Sequence, residues 1–254
     1  QPEQESERLS GLRLEDKMKL SCRLETVASF VDKGSIAADV GTDHGYIPIC
    51  LVERGISPSA IGMDVREGPL MRAKEHIREH GLEDRISARL GDGLEKLEPG
   101  EADAVVIAGM GGELVIRILE GGKRLWEDVR DWILSPQSEL EKVRRFLWEN
   151  GFETAAEAMV EEDGKYYTVM KCRRRKESVP AAESRPSPGE FKYGRILLRR
   201  GDPVLKAYLE QEIGQLHAIE ERLRSSATPK AGERLREVEQ ELKTAEEAYD
   251  EVQR

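Results

Sequence analysis

Four short apolar runs and a fifth, more polar one, each closed by a glycine, valine or serine, alternate with helical stretches along the first 135 residues. That alternation leaves few folds open. The runs are IAADVG (36–41), AIGMDV (60–65), RISARLGDG (85–93), ADAVVIAG (102–109) and WILS (132–135). Between them lie apolar residues at helical spacing: Leu20, Leu24, Val27 and Val31; a stretch from Ile47 with Pro48 in its first turn; and Leu70, Ala73 and Ile77. ELVIRILEGG, ended by Gly121 and Gly122, and SELEKVRRFLWENG, closed by Gly151, continue the series. Strands that are apolar along their whole length are buried on both faces, which predicts an α/β fold with a doubly wound, mostly parallel sheet. FETAAEAMVEEDGKYYTVMKC then reads as two strands joined through Asp163-Gly164, so the terminal strand runs antiparallel.

The charge divides the 254 residues unevenly. The formal net charge is −10, yet residues 1–172 carry −11 and residues 173–254 carry +1. RRRKESVPAAESRPSPGE (173–190) holds Pro180, Pro186 and Pro188 and has no hydrophobic period, so it reads as a linker or loop. The expected layout is a body of residues 1–172, a linker of 173–190, and a C-terminal appendage of 191–254. In the appendage, Leu209, Ile213, Leu216 and Leu223 form one stripe. Leu235, Val238, Leu242, Ala245, Tyr249 and Val252 form another at 3-4 spacing, and Thr228-Pro229 opens its helix. Two such helices predict an antiparallel coiled-coil hairpin.

No run of 18 or more apolar residues spans a membrane, and the polar, acidic N-terminus has no apolar core of a secretory signal. Cys22, Cys50 and Cys172 are odd in number and widely separated, which predicts neither a disulfide framework nor a metal site. A soluble cytoplasmic protein is expected.

In a doubly wound sheet, ligands bind at the carboxyl ends of the strands. Asp39, Gly41 and Gly45 lie after the first strand, Asp64 ends the second, and Asp92-Gly93 follows the third. The glycines let backbone approach a ligand closely. Asp64 is placed to accept both ribose hydroxyls, and Asp92 to accept the exocyclic amine of an adenine. An adenosine ligand follows, and the loop selects which one. G-x-G-x-x-G is absent, no G-K-[ST] occurs, and Asp39 and Asp43 would repel a pyrophosphate. An acidic loop suits the ammonium and sulfonium of S-adenosylmethionine.

LSCRLETVASFV, ADVGTDHGYIP, GMDV, LGDGL, AGMGG and EDGKYYTVMK together resemble the bacterial tRNA adenine-N1 methyltransferases that act on position 22 of the D-arm, the TrmK family. The similarity covers about residues 9–225. It implies a class I (Rossmann-like) methyltransferase domain followed by a C-terminal coiled coil, with S-adenosyl-L-methionine as cofactor and tRNA as partner. It implies a methionine-side loop of Asp39, Gly41, Thr42, Asp43, His44 and Gly45, a ribose site at Asp64 and Val65, and an adenine edge at Asp92 and Gly93. Gly109, Met110 and Gly111 would border the reacting methyl. SPQSE (135–139) stands where the family usually has Q-P-N, and Gly45 where alanine is common.

Other target chemistries lack their motifs. No [DN]-P-P-[FY] follows the fourth strand, and no cysteine lies near Gly109. Adenine N1 needs neither, because its in-plane lone pair attacks the methyl directly and the enzyme chiefly aligns the two. Asp43, His44 and Tyr46 are the candidates to act beside the base, and Arg23 to hold the methionine carboxylate or a phosphate. For RNA, Arg173, Arg174, Arg175, Lys192, Arg195, Arg199 and Arg200 form basic clusters around the linker and hairpin root, with Arg13, Lys17 and Lys19 at the N-terminus. Pairing of the arginines with Glu190, Asp202 or Glu210, holding the hairpin root in place, is the competing expectation. A small-molecule methyltransferase whose hairpin only dimerises, and a non-catalytic nucleotide-binding scaffold, are the rival functions; monomer or dimer is open.

Overall fold

The computed structural model describes residues 19–175, 185–226 and 228–254, so Arg13, Lys17 and Pro180 lie outside the described residues. Helix α1 (Cys22–Ser29) starts where the Ser21 hydroxyl accepts the Leu24 amide at 3.4 Å, and it buries Val27 and Ala28. Strands β1 (Ala37–Val40), β2 (Ala60–Asp64), β3 (Ile86–Leu90), β4 (Ala104–Ala108) and β5 (Asp131–Ser135) follow the apolar runs. Helices α2 (Tyr46–Glu53), α3 (Glu67–Glu79), α4 (Gly112–Gly121) and α5 (Leu140–Glu149) fall among them. Strands β6 (Phe152–Glu162) and β7 (Lys165–Arg174) complete one seven-stranded sheet of order β3-β2-β1-β4-β5-β7-β6.

The parallel register aligns Ala37 with Ala60 on one side and with Ala104 on the other, and Asp64 with Leu90. Every residue of β1, β2 and β5 is buried, whereas the edge strand β3 is partly open. This is why the central strands carry no polar alternation. Strands β6 and β7 are antiparallel, and their turn places Asp163 (φ 53°) and Gly164 (φ 73°) both in the left-handed region. That is the backbone a two-residue hairpin turn demands, and aspartate and glycine tolerate it best. Strand order reverses between β1 and β4, which puts the ligand crevice of such a sheet at the carboxyl ends of those two strands.

The described residues of Gln1–Ala108 and Arg117–Leu134 form one compact unit, and those of Gly109–Ile116 and Ser135–Arg254 a second. In the second, a π-helical turn (Glu190–Gly194) leads into the short α6 (Arg195–Arg199), then α7 (Pro203–Arg224) and α8 (Pro229–Val252). Helix α7 starts at Asp202, whose carboxylate accepts the Val204 and Leu205 amides at 3.0 Å each. Thr228 caps α8 through the Ala231 amide at 3.3 Å. Contacts of Tyr249 with Glu210, His217 with Glu246 and Arg224 with Glu239 run in opposite chain directions, so α7 and α8 form an antiparallel helical hairpin. Its core is Leu205, Leu209 and Leu216 against Val238, Leu242 and Ala245, which extends to Leu197, Leu198 and Met159.

The turn-and-helix stretch 190–199 carried no periodic signal of its own. It is held by a buried ion pair: Arg144 Nε donates to Glu157 at 3.1 Å, with side chains only 6% and 1% exposed. Arg144 also donates to the Phe191 and Lys192 carbonyls, and the Ile196 amide donates to Glu157 at 3.1 Å. Gly194 (φ 99°) completes the arrangement, because a Cβ there would lie 2.6 Å from the Glu157 carboxylate.

Candidate active site

At the carboxyl end of β1 the chain turns sharply. The amides of Gly41 and Thr42 both donate to the Met63 carbonyl, at 2.8 and 2.9 Å, which ties this loop to the end of β2. Gly41 (φ 75°) and Gly45 (φ 71°) take backbone that a side chain would strain, and a Cβ on Gly45 would already touch Ala73 of α3 at 3.4 Å. Between them Asp43–Gly45 forms a single 3-10 turn that feeds directly into α2.

Two carboxylates sit beneath this loop on neighbouring strands. Asp39 is 7% exposed and Asp64 4%. Asp64 Oδ1 accepts the Arg66 amide at 2.8 Å; its second oxygen makes no hydrogen bond among the described residues and is left to accept from a ligand. The end of β3 lies alongside, since the Gly91 amide donates to the Asp64 carbonyl at 3.0 Å. Asp92 is exposed beyond it, and Gly93 (φ 54°) lies so close to Ile118 that a Cβ would stand 3.3 Å away. Val65 is 61% exposed at the mouth. Glycine cradles beside a partly uncommitted buried carboxylate fit a cationic, ribose-bearing cofactor such as S-adenosylmethionine.

Burial pushes the Asp39 carboxyl up to about 6; the nearby Thr42 hydroxyl pulls it back and the Asp64 charge adds to the rise. A carboxyl whose pKa is raised on folding favours the folded state at low pH, and that contribution is lost as pH rises from the ordinary aspartate range through about 6. Asp39→Asn should therefore melt at a higher temperature than wild type at pH 7–8, with the gap closing toward pH 4. If Asp39 faces the cofactor ammonium, wild-type affinity should rise with pH through about 6, and the variant should bind more weakly without that pH dependence. Thermal melts and calorimetric titrations across this range check both; a melting gap that is constant with pH would remove the buried-charge account.

The candidates for work beside the target base come together as a stack. The His44 and Tyr46 rings lie 5.3 Å apart and 8° from parallel, and His76 of α3 joins them at 5.5 and 5.9 Å. His76 Nδ1 lies 2.9 Å from the His44 carbonyl oxygen, which holds His44 at its left-handed φ of 61°. Asp43 is exposed nearby, 3.7 Å from Arg72. His76 was not anticipated, although it stands one position before Ile77 on the α3 face that Ala73 turns toward the loop. Arg23 lies in the first turn of α1.

In the second unit, Gly109 (φ 79°), the residue after β4, donates its amide to the Ser135 carbonyl at 3.2 Å. Met110 accepts the Gln137 amide at 2.8 Å, and a Cβ on Gly111 would stand 3.2 Å from the Ser138 hydroxyl. The AGMGG and SPQSE segments are thus laid backbone against backbone. Cys50 and Cys172 are buried, and burial pushes their thiols up to about 11 and about 12, so neither is a thiolate nucleophile at neutral pH. Among the described residues there is no metal-holding group of His, Cys, Asp and Glu, and no helix long and apolar enough to cross a membrane.

The basic residues at the hairpin root have partners within the chain. Arg195 and Arg199 both donate to Glu190, at 2.9 and 3.1 Å, and Arg200 pairs with Asp202. Lys192 lies 3.1 Å from Glu212, Arg175 donates to the Trp148 carbonyl at 2.6 Å, and Arg174 to that of Asn150. Arg173 lies in β7. Burial raises the Glu190 carboxyl's pKa, but the Arg195 hydrogen bond, the Ser187 amide and the two arginine charges outweigh it and hold it below the ordinary range. The pairings that the sequence left as the competing expectation are therefore present for Arg195, Arg199 and Arg200.

The methyltransferase-domain family matches residues 20–170. Over 236 residues, 92% of this chain and 99% of the relative, the chain is 33% identical to the tRNA (adenine(22)-N(1))-methyltransferase of Bacillus subtilis. The crystal structure of the B. subtilis M1A22 tRNA methyltransferase TrmK matches with a TM-score of 0.81 at 33% identity, covering 91% of this chain and 99% of that one. Sp1610 of Streptococcus pneumoniae in complex with S-adenosyl-L-methionine matches with a TM-score of 0.79 at 34% identity, covering 91% and 100%. The domain match, the near full-length identity and the shared fold show that this chain belongs to the tRNA (adenine(22)-N(1))-methyltransferase family.

Proposed function

We propose that this chain methylates N1 of an adenine in tRNA, at position 22 of the D-arm, with S-adenosylmethionine as donor. The observation that carries this is the buried pair Asp39 and Asp64 under a glycine loop where strand order reverses, in a chain of this family. When bound, the donor supplies a methyl group made electrophilic by its sulfonium. Asp39 faces the ammonium, with Gly41, Thr42 and Gly45 giving close backbone approach and Arg23 taking the methionine carboxylate. Asp64 takes the ribose hydroxyls beside Val65, and Asp92 with Gly93 the adenine edge. Gly109, Met110 and Gly111, the next residues after β4, are the candidates to border the transferred methyl.

The work left to the protein is alignment of an in-plane lone pair, for which the His44–Tyr46 stack offers a flat aromatic surface. The methylated ring is cationic, and the Asp43 carboxylate beside that stack is placed to stabilise it. A tRNA substrate supports a cytoplasmic location. The test is mass mapping of nucleosides from tRNA incubated with the chain and donor. N1-methyladenosine at position 22 is expected; labelled methyl appearing in a metabolite extract but not in tRNA would establish the small-molecule alternative.

For tRNA contact, Glu190 neutralises one of the two arginine charges it holds, and Arg199 keeps a 64% exposed side chain. Arg199 and Arg200 are the proposed phosphate contacts here, together with Lys192, Arg173, Arg174 and Arg175, while Arg195 is chiefly structural. Arg199→Gln with Arg200→Gln should flatten the slope of log affinity against log salt by about 0.7–0.9 per contact. Arg195→Gln should lower the melting temperature instead. A salt titration beside a melting curve decides this, and a constant slope in the double variant would move the RNA surface elsewhere.

A further inference from the structure

The second unit carries a cleft of about 510 Å³ whose lining the catalytic reading does not use. It is walled by Tyr166 and Lys165 from the start of β7, by Tyr208, Gln211 and Gln215 from α7, and by Gln137. Tyr208, Gln211 and Gln215 stand at i, i+3 and i+7, so they share one face of α7, distinct from the buried Leu205, Leu209 and Leu216 stripe that packs the hairpin. Hairpin packing accounts for part of Tyr208, which with Tyr166 lies against that core, but not for the exposed Gln211 and Gln215.

Their chemistry is that of a nucleobase subsite. The Tyr166 and Tyr208 rings meet edge to face, with centroids 5.2 Å apart and planes at 71°, so aromatic surface lines the cleft. The side-chain amides of Gln137, Gln211 and Gln215 make no hydrogen bond among the described residues, leaving three donor–acceptor pairs of the kind that read a base edge. Glu212, the one anion in the lining among the described residues, is already engaged by the Tyr193 hydroxyl at 2.6 Å and by Lys192 at 3.1 Å, so its charge is countered. Lys165 is exposed at the rim, where a phosphate would pass. Gln137 is also tied by its backbone amide to the Met110 carbonyl, the segment assigned to the transferred methyl.

We propose that this tyrosine–glutamine cleft holds an unpaired tRNA nucleotide adjoining the methylated adenine, and so selects the RNA rather than performing the chemistry. The inference rests on the tRNA reading above. The base stacks on the tyrosines, the glutamine amides read its edge, and Lys165 meets its phosphate.

The test uses the full chain and two measurements. In the first, Gln211→Ala with Gln215→Ala, both exposed, should raise KM for tRNA about fivefold to hundredfold. Turnover should stay within about twofold and donor affinity and melting temperature should not change, because these side chains stand outside the donor loop. In the second, tRNA with 2-aminopurine placed at each nucleotide flanking the target should lose fluorescence on binding. That quenching should persist in Tyr208→Phe and vanish in Tyr208→Leu. If wild type methylates tRNA while KM and quenching are the same in all variants, the cleft assignment is overturned and the function stands. If tRNA is bound and quenched but never methylated, the activity falls and the cleft stands.

Discussion

Replacing Arg144 by alanine should lower the free energy of unfolding by about 3–5 kcal/mol, the cost of leaving one partner of a buried ion pair behind. The stranded group is Glu157, 1% exposed in its side chain, with the Ile196 amide as its one remaining donor among the described residues. The same change frees the Phe191 and Lys192 carbonyls, so the segment that leads into the helical hairpin should loosen first. A denaturant melt reads the loss. The companion variant replaces both partners, Arg144→Met with Glu157→Leu, and should recover much of it, because removing the pair together leaves no uncompensated charge. Equal losses in the single and double variants would mean that packing, and not the charge, holds this segment. Donor affinity should survive in both, since neither residue belongs to the strand-end loop.

Asp64→Ala should weaken S-adenosylmethionine binding by about 2–4 kcal/mol, a loss of roughly thirtyfold to several hundredfold, since charge-assisted hydrogen bonds contribute about 1.5–3 kcal/mol each. The carboxylate is 4% exposed, with one oxygen on the Arg66 amide and the other uncommitted, so the ribose hydroxyls gain a charged acceptor that is already in place. Asp64→Asn keeps an acceptor and loses the charge, and should fall between the two. Calorimetric titration of the folded variants gives the affinities directly. Unchanged affinity in a folded Asp64→Ala would remove the ribose assignment, and with it the alignment of Asp39, Asp64 and Asp92 as one binding edge.

What the sequence alone determined is whatever depends on neighbours along the chain. The seven strands, the helices between them, the Asp163-Gly164 turn and the Thr228 cap follow from hydrophobic period and turn chemistry, which act over a few residues. The carboxylates at the strand ends were legible for the same reason, because a parallel sheet brings all its carboxyl ends to one edge whatever the details of packing. Tertiary structure decided what depends on partners distant in the chain. Arg144 meets the carbonyls of residues 47 and 48 positions away, His76 reaches a carbonyl 32 positions back, and Arg195 and Arg199 converge on one glutamate. The same holds for the tyrosines of β7 and the glutamines of α7, whose joint use appears only once hairpin and strand are packed. A basic cluster reads the same in sequence whether its charges face solvent or a buried carboxylate. Only folding, by setting burial and distance, separates an arginine that holds the hairpin root from one left exposed to meet a phosphate.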